Sequence, residues 1–517
     1  MDVNALDVLL LNNSEKVVFL KKEGEDLLCF GVDSLGQVDA SCIKRIKASD
    51  IKKRLSPIDL PIFEKAMRAD ILDRVRLYFR TVYQSKEAFV KGESFVRYAG
   101  RVFDDMEGAM LADAMLDFWL TSGRYDKEFS NKLSDFLGGA RVLTCNSGSS
   151  ANLIAMSALT SYKLGENRLL PGDEVITVSA GFPTTVAPIV QNGLVPVFVD
   201  VELGSYNVDT ALIEKAISDK TKAIFLAHTL GIPFDLDKVL QIAEAYNLWV
   251  IEDNCDSLGA YYELERGYRL VNGKDTKKAG LTGTFGHIST FSFYPAHHIT
   301  TGEGGAVCTD NEQLYRIMLS IRDWGRDCWC EPGQDNSCKA RFSQQLGDLP
   351  KGYDHKYTYS HLGYNLKMTD LQAAIGCAQM EKLPMFIEKR RENWDYLFNR
   401  FKVFADYFIL PKFPKGGRPS PFGFVLTVKE NAPFTRTELV RYLEERKVQT
   451  RAVFAGNIIR QPAFTENDYE YRIGSKLANT DMVMNNTFWI GVYPGMQRDM
   501  LDYIVEVVGE FVSAYKA

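Results

Sequence analysis

A chain of 517 residues is too long for one simple core, so two or three domains are expected. Hydrophobic residues make up 46% and charged residues 25%, with 61 basic and 67 acidic side chains well mixed to a net charge of -6. Without a basic tract to follow a phosphate backbone, nucleic acid is excluded as the main partner. No apolar stretch approaches the roughly 20 residues of a membrane span, so no membrane partner is expected. The opening MDVNALDVLLLNNSEKVV lacks a basic n-region and a small-residue cleavage site. A cytoplasmic location is expected, with the nine cysteines as free thiols or metal ligands.

Residues 1–60 read as an N-terminal appendage. KVVFLKK and DLLCFGVD are two short strands about the turn-like EGE, and SPIDLP breaks the pattern. From Ile62 to about Val90 the pattern is helical, with Phe63, Met67, Ile71, Val75 and Tyr78 near one face. From about 110 to 310, short apolar strands (DEVITVSA, LVPVFVD, KAIFLAH, LWVIED) alternate with helices such as DLDKVLQIAEAY. That alternation predicts an α/β large domain, 61–404, with a mainly parallel sheet and ligands at the carboxyl ends of its strands. YELERGYRLVNGKDTKKAGLTG, near 262–282, reads as a surface insertion, and 369–402 as a helix. From 405 to 517, GFVLTV and TFWIGVYPG as strands and TRTELVRYLEERK as a helix predict a small α+β C-terminal domain.

TCNSGSSANL at 144–153 follows an apolar strand end and opens a helix. Exposed amides there, with Gly148 permitting close approach, suit a phosphate group; capping by Ser149 or Ser150 explains the same residues without a ligand. LWVIEDNCDSLG places Glu252 and Asp253 at a strand end. A carboxylate there can hold a pyridine nitrogen protonated, as an electron sink needs, or simply cap a loop. STFSFYPAHHITTGEGGAV at 289–307 joins a strand, a Pro turn, two histidines and a glycine run. Ser292 offers another phosphate contact, and Gly302, Gly304 and Gly305 allow a tight backbone path. Two adjacent histidines among six suit proton transfer, although such a pair is often structural.

SGSSANL, AGFPTTV, IEDNCDSLG, SFYPAHHITTGEGGAV and GYNLKMTDLQAA stand in the order and approximate spacing of the fold type I nucleotide-sugar aminotransferases. The chain resembles that family from about residue 110 to its C-terminus. The resemblance implies that Gly148, Ser149 and Ser292 hold the phosphate of a vitamin-B6 cofactor, that Phe182 stacks on its ring and that Asp253 pairs with the ring nitrogen. Asp256 falls where the family usually has Gln, near the ring hydroxyl. Asn365 resembles the residue that reaches the phosphate from a neighbouring subunit, which implies a homodimer. The family's Ser-Phe-x-Pro-x-Lys pattern ends here in His297 instead of the Schiff-base lysine. An imidazole cannot form that stable linkage, so the cofactor is expected as unanchored pyridoxamine phosphate, with His297 moving a proton without completing transamination.

RDWGRDCWCEPGQDNSC holds Cys328, Cys330 and Cys338, and Cys255 lies two residues beyond Asp253. Three close cysteines and one remote suit zinc or an iron–sulfur cluster, or cluster by chance. The run from RDWGRDCWC through LPKGYDHKYTYSHLGYNLKMTDLQAAIGCAQ resembles the CDP-4-keto-6-deoxyglucose 3-dehydrases, which use pyridoxamine phosphate and a 2Fe-2S cluster. The resemblance implies a cluster on Cys255, Cys328, Cys330 and Cys338, a separate iron–sulfur/flavin reductase, and C3 dehydration of a nucleotide-linked 4-keto-6-deoxyhexose, CDP-linked in that family. Those enzymes space the first two ligands more closely, a difference the 262–282 insertion accounts for. Arg451, His355 and Tyr357 are further candidates for substrate or diphosphate contacts. An ordinary aminotransferase would need a lysine at 297, and Lys278 and Lys367 lie outside the motif. A cluster-free dehydratase that releases ammonia would share His297 and have no use for the cysteine set. A non-catalytic scaffold would leave the intact cofactor, base and cysteine positions unexplained.

Overall fold

The computed structural model describes residues 5–515 apart from 14, 24, 33–37, 58–59, 84–87 and 331–332. The turn expected at EGE and the break expected at SPIDLP each include residues outside that set. The chain divides into two compact units, one of residues 1–86 and 103–118, the other of 87–102 and 119–517.

In the first unit, five strands pair antiparallel in the order Val38–Lys47, Asp26–Val32, Lys16–Glu23, Asp7–Leu11 and Ile51–Pro57. Leu9, Leu11, Val17, Phe19, Leu27, Cys29 and Ile46 form its core. The helices Leu60–Tyr83 and Asp105–Asp117 pack together, with Arg68 bonded to Asp113 at 2.6 Å and Asp117 at 2.7 Å. The appendage therefore carries a folded sheet of its own, larger than the two strands expected.

The second unit is built on an eight-stranded sheet in the order Arg472–Ile473, Val195–Val199, Glu174–Val178, Thr221–Ala227, Trp249–Asp253, Ile288–Ser292, Gly305–Thr309, Arg141–Cys145. Neighbours run parallel except around Gly305–Thr309, which is antiparallel to both of its partners. The 174–178, 195–199 and 249–253 strands are buried at every position, as a sheet covered on both faces requires. Covering helices begin at side-chain caps. Asp235 accepts from the Lys238 N–H ahead of Leu236–Tyr246, and Thr369 with Gln372 forms a capping box ahead of Asp370–Phe401.

The segment expected as a surface insertion is partly core. Its strands Tyr261–Glu263 and Ala279–Leu281 join Gly417–Arg418 in a small sheet, and Tyr262, Leu264, Tyr268 and Leu270 are buried in the main core. Alternating aromatic and aliphatic side chains tie down a stretch whose polar residues dominate its composition. The C-terminal region is a four-stranded antiparallel sheet, Phe408–Ile409, Gly423–Val428, Thr487–Gly491, Thr450–Ala452. Its Phe424 and Leu426 share a core with Trp394, Leu397 and Phe401 of the long helix. Among the described residues, no helix is long and apolar enough to cross a membrane.

Candidate active site

The residues singled out from the sequence gather where parallel strands end. The 141–145 strand leads into the helix Gly148–Leu159, the 249–253 strand ends on Asp253, and the 288–292 strand ends on Ser292. At the first of these, Ser147 is the helix cap, accepting from the Ser150 N–H at 3.1 Å, and Gly148 is the first helical residue. The packing there leaves no room for a side chain. A Cβ on Gly148 would lie 2.5 Å from Ser292 Cβ and 2.9 Å from Cys255 Sγ. Gly148, Ser292 and Cys255 thus line one tight corner at a helix start. Ser149 is at the edge, its hydroxyl bonded to Thr184 at 3.2 Å.

Asp253 is buried and firmly held. Its Oδ2 accepts from Asn152 Nδ2 at 2.9 Å and from the Thr185 hydroxyl at 2.8 Å, and its Oδ1 from the Cys255 N–H at 3.1 Å. Thr290 donates to Asn152 Oδ1 at 2.6 Å, which turns the amide's N–H groups toward Asp253. The adjacent Glu252 points to the other face, as strand alternation demands. Burial would raise its pKa, but bonds from His228 and from the Gly286 and Gly283 N–H groups outweigh that and hold it low. Glu252 is therefore a structural anchor, and Asp253 alone is the carboxylate of this strand end in the site. Phe182, half-exposed, presents a ring that meets Phe454 edge-on at 5.9 Å.

His297 is enclosed between Tyr294 and Phe422, with ring centroids 6.5 and 5.2 Å away. Burial and the nearby Arg390 charge lower its pKa to about 3, so the imidazole is neutral at neutral pH. Its Nδ1 stands 3.5 Å from Asp256 Oδ1, just beyond hydrogen-bond geometry, and is otherwise buried without a partner. Burial and the Asp253 charge push Asp256 up to about 7, against a Leu230 N–H bond and Arg390. The neighbouring His298 is structural, its Nε2 bonded to the Ser420 carbonyl at 2.9 Å. Arg390, on the long helix, bonds the His297 carbonyl at 3.1 Å and the Phe422 carbonyl at 3.2 Å.

Cys328, Cys330 and Cys338 come together. Cys330 has a pKa of about 7, because bonds from Ser337, Cys338 and Cys328 outweigh its partial burial. Asp327, next to the trio, is fastened by Lys163 at 2.7 Å and His355 at 3.0 Å. Cys255, the fourth thiol of the expected ligand set, lies in the strand-end corner beside Gly148. Burial first, then the Asp253 charge, push its thiol well up. Cys255 follows Asp253 by two residues, which brings it into the corner against Gly148. Among the described residues, no group of three or more His, Cys, Asp or Glu is arranged to hold a metal ion.

Asn365 is held by Lys367, whose ammonium donates to its Oδ1 at 2.6 Å. His355 is buried against Asp327 and serves the fold, not a substrate contact; Tyr357 is exposed, and Arg451 lies over Tyr98. Four contributors escaped the sequence reading: Ser147, Asn152, Thr185 and Arg390. Asn152 stands one helical turn beyond Gly148, a spacing that could have drawn notice. Thr185 and Arg390 act on residues 68 and 93 positions away and carry no local signal.

The sequence model of the DegT/DnrJ/EryC1/StrS aminotransferase family matches residues 103–509. The chain is 54% identical over 427 residues, 83% of its length, to the lipopolysaccharide biosynthesis protein RfbH of Salmonella typhimurium, of which 94% is covered. It is 49% identical over 449 residues to dTDP-4-dehydro-2,6-dideoxy-D-glucose 3-dehydratase of Saccharopolyspora spinosa, covering 86% of this chain and 93% of that one. The structure of E coli GDP-4-keto-6-deoxy-D-mannose-3-dehydratase with bound hydrated PLP superposes with a TM-score of 0.69 at 28% identity, covering 80% of this chain and 99% of that one. The strand-end corner, the buried Asp253 and these likenesses agree: the chain is an enzyme of the DegT/DnrJ/EryC1/StrS aminotransferase family.

Proposed function

We propose that this enzyme removes the C3 hydroxyl of a nucleotide-linked 4-keto-6-deoxyhexose as water, with pyridoxamine phosphate as its cofactor. The observation that carries the reading is His297, a neutral and enclosed imidazole beyond the strand end at Ser292, where the family pattern calls for lysine. Lys367, the nearest rival in the sequence, is engaged with Asn365 and lies 3.5 Å over the Trp324 ring. The site fits the cofactor on three counts. The Gly148 corner excludes a Cβ, as close approach of a phosphate requires; Asp253 is a buried carboxylate with fixed orientation; and the Phe182 ring is free to stack. When bound, the cofactor supplies a primary amine for the C4 ketone and a pyridinium ring that accepts developing charge.

The chain's own residues supply the rest. Asn152 and Thr185 fix Asp253 so that its carboxylate keeps a ring nitrogen protonated. His297 receives a proton at a ring nitrogen and returns it to the leaving hydroxyl. Tyr294 and Phe422 flank the imidazole and leave little of it exposed. CDP is the nucleotide in this reading, on the strength of the residue pattern; two of the relatives named above are named for dTDP- and GDP-linked sugars. A second copy of the chain would bring its Asn365 to the phosphate. Exposed Tyr357, Tyr359, Leu362 and Tyr364 near it in sequence, and Trp324 next to the Asp323–Asn365 bridge, support such an interface.

The 2Fe-2S cluster fits in part: Cys328, Cys330 and Cys338 supply three thiols beside one another, and Cys255 is the fourth that the residue pattern implies. In the reductive reading, the trio and Cys255 would hold a cluster, which would supply single-electron transfer from a separate reductase. A second reading, in which dehydration is followed by release of ammonia and no cluster is needed, is favoured by the lack, among the described residues, of a group of three or more His, Cys, Asp or Glu arranged to hold a metal ion. Dehydration itself stands on His297 in both.

The test is purification without oxygen, analysis of iron and sulfide, and incubation with pyridoxamine phosphate and the CDP-linked ketosugar in heavy-oxygen water. Label entering the C3 hydroxyl, lost in His297→Asn, supports dehydration. Iron and sulfide in equal amounts select the reductive reading, and label without iron after reconstitution selects the second. No label with the CDP-, dTDP- or GDP-linked sugar would sink the proposal.

A further inference from the structure

His297 must present a lone pair on a defined nitrogen, and a neutral imidazole has one N–H and one lone pair to distribute. Its backbone is already fixed. The carbonyl is clamped by Arg390 at 3.1 Å, and its N–H donates to the Tyr294 carbonyl at 3.0 Å. The ring is confined by Phe422 and Tyr294. What remains open is which nitrogen carries the proton, and one acceptor faces the ring on the Nδ1 side. That acceptor is Asp256, 3.5 Å away, with both side chains largely buried at 15% and 12% exposure. Nδ1 is buried and otherwise unpartnered, a state that is costly unless a hydrogen bond forms.

We infer that Asp256 is the positioning partner of His297: its carboxylate accepts a hydrogen bond from Nδ1–H, which leaves the Nε2 lone pair as the base. This rests on the dehydration reading above. Closing the gap takes a shift of about 0.6 Å, to the roughly 2.9 Å of an N–H···O bond. The groups facing Asp256 are consistent with the assignment. Burial and Asp253 disfavour a negative charge there, the Leu230 N–H and Arg390 oppose them only in part, and a carboxyl oxygen still accepts from Nδ1–H in either protonation state. The role differs from the ring-hydroxyl contact expected from the sequence, because it is directed at a protein side chain. An orienting carboxylate on a histidine base is a recurrent arrangement, since the tautomer decides whether the base exists at all.

The chain has only six histidines, so labelling them with the heavy nitrogen isotope allows each ring to be followed by NMR, with His297→Asn identifying the signal. The intact enzyme is expected to show Nδ1 protonated and Nε2 bare, both before and after pyridoxamine phosphate is added. Asp256→Ala should remove that bias, and Asp256→Asn should keep it, because the amide oxygen still accepts. Turnover should fall about a hundredfold in the alanine variant. An Nε2-protonated His297 in the wild-type protein would overturn the inference, whatever the variants do. So would an unchanged tautomer in Asp256→Ala. If the tautomer behaves as expected but no label enters C3 in the wild-type enzyme, the dehydration reading fails and the pairing stands.

Discussion

Gly148→Ala tests the tightest contact in the site. The new Cβ would lie 2.5 Å from Ser292 Cβ and 2.9 Å from both Ser292 Oγ and Cys255 Sγ. That is about 1 Å inside the roughly 3.5–4.0 Å optimum for carbon contacts. Ser292 cannot swing away, because its Cβ is fixed to a strand residue paired with Gly305. Gly305 is itself hemmed in: a Cβ there would meet the Ser147 carbonyl at 2.4 Å. The overpacking costs about 1–3 kcal/mol, against a helix-propensity gain of at most about 1 kcal/mol, for a net loss of about 1 kcal/mol. Any widening that relieves the clash displaces the Gly148 N–H and the Ser292 hydroxyl. Affinity for pyridoxamine phosphate should therefore fall about tenfold, equivalent to about 1.4 kcal/mol. Urea unfolding measures the first quantity and absorbance titration with the cofactor the second. A variant as stable as wild type or more so, with unchanged affinity, would refute the reasoning about this corner.

Three further outcomes are expected. Asp253→Asn turns an amide N–H toward the Cys255 N–H in place of the present 3.1 Å bond, so stability should drop by about 1–2 kcal/mol and label exchange at C3 about a hundredfold; thermal melts and the exchange assay check each. Glu174 is held at about 2, below its usual 4.5, because bonds from Arg472, Ser218 and Thr221 outweigh burial. A depressed carboxyl adds stability above its unfolded pKa and loses it as pH falls from there through the folded value. With Arg472 about a third exposed, the contribution is about 1–2 kcal/mol at neutral pH. Arg472→Ala should flatten the loss of stability between those pH values, and an unchanged acid limb in urea melts would count against it. Cys330→Ser removes the thiol that accepts bonds from both cysteine neighbours and should prevent iron uptake, with stability changed by no more than about 0.5 kcal/mol; full iron content after reconstitution would dismiss the trio.

The strands that carry the site were legible in the sequence because each is a short buried run whose pattern is local. DEVITV, VPVFV and WVIED are apolar nearly throughout, as a doubly covered parallel sheet requires. Asp253, His297 and the glycine corner were legible too, since each lies within a few residues of a strand end. The first unit was less so: Val38–Lys47 alternates with exposed lysine and arginine, and its place at a sheet edge depends on partners elsewhere in the unit. Tertiary structure alone decided the rest. It placed Thr185 on Asp253 across 68 residues and Arg390 on the His297 carbonyl across 93, and it set Asp256 against the imidazole. It also held Cys255 against Gly148. Local pattern dictates which segments are strands and helices because side-chain periodicity acts over a few residues. Which polar atoms meet at the strand ends is decided by packing between segments remote along the chain, and no short stretch of sequence records it.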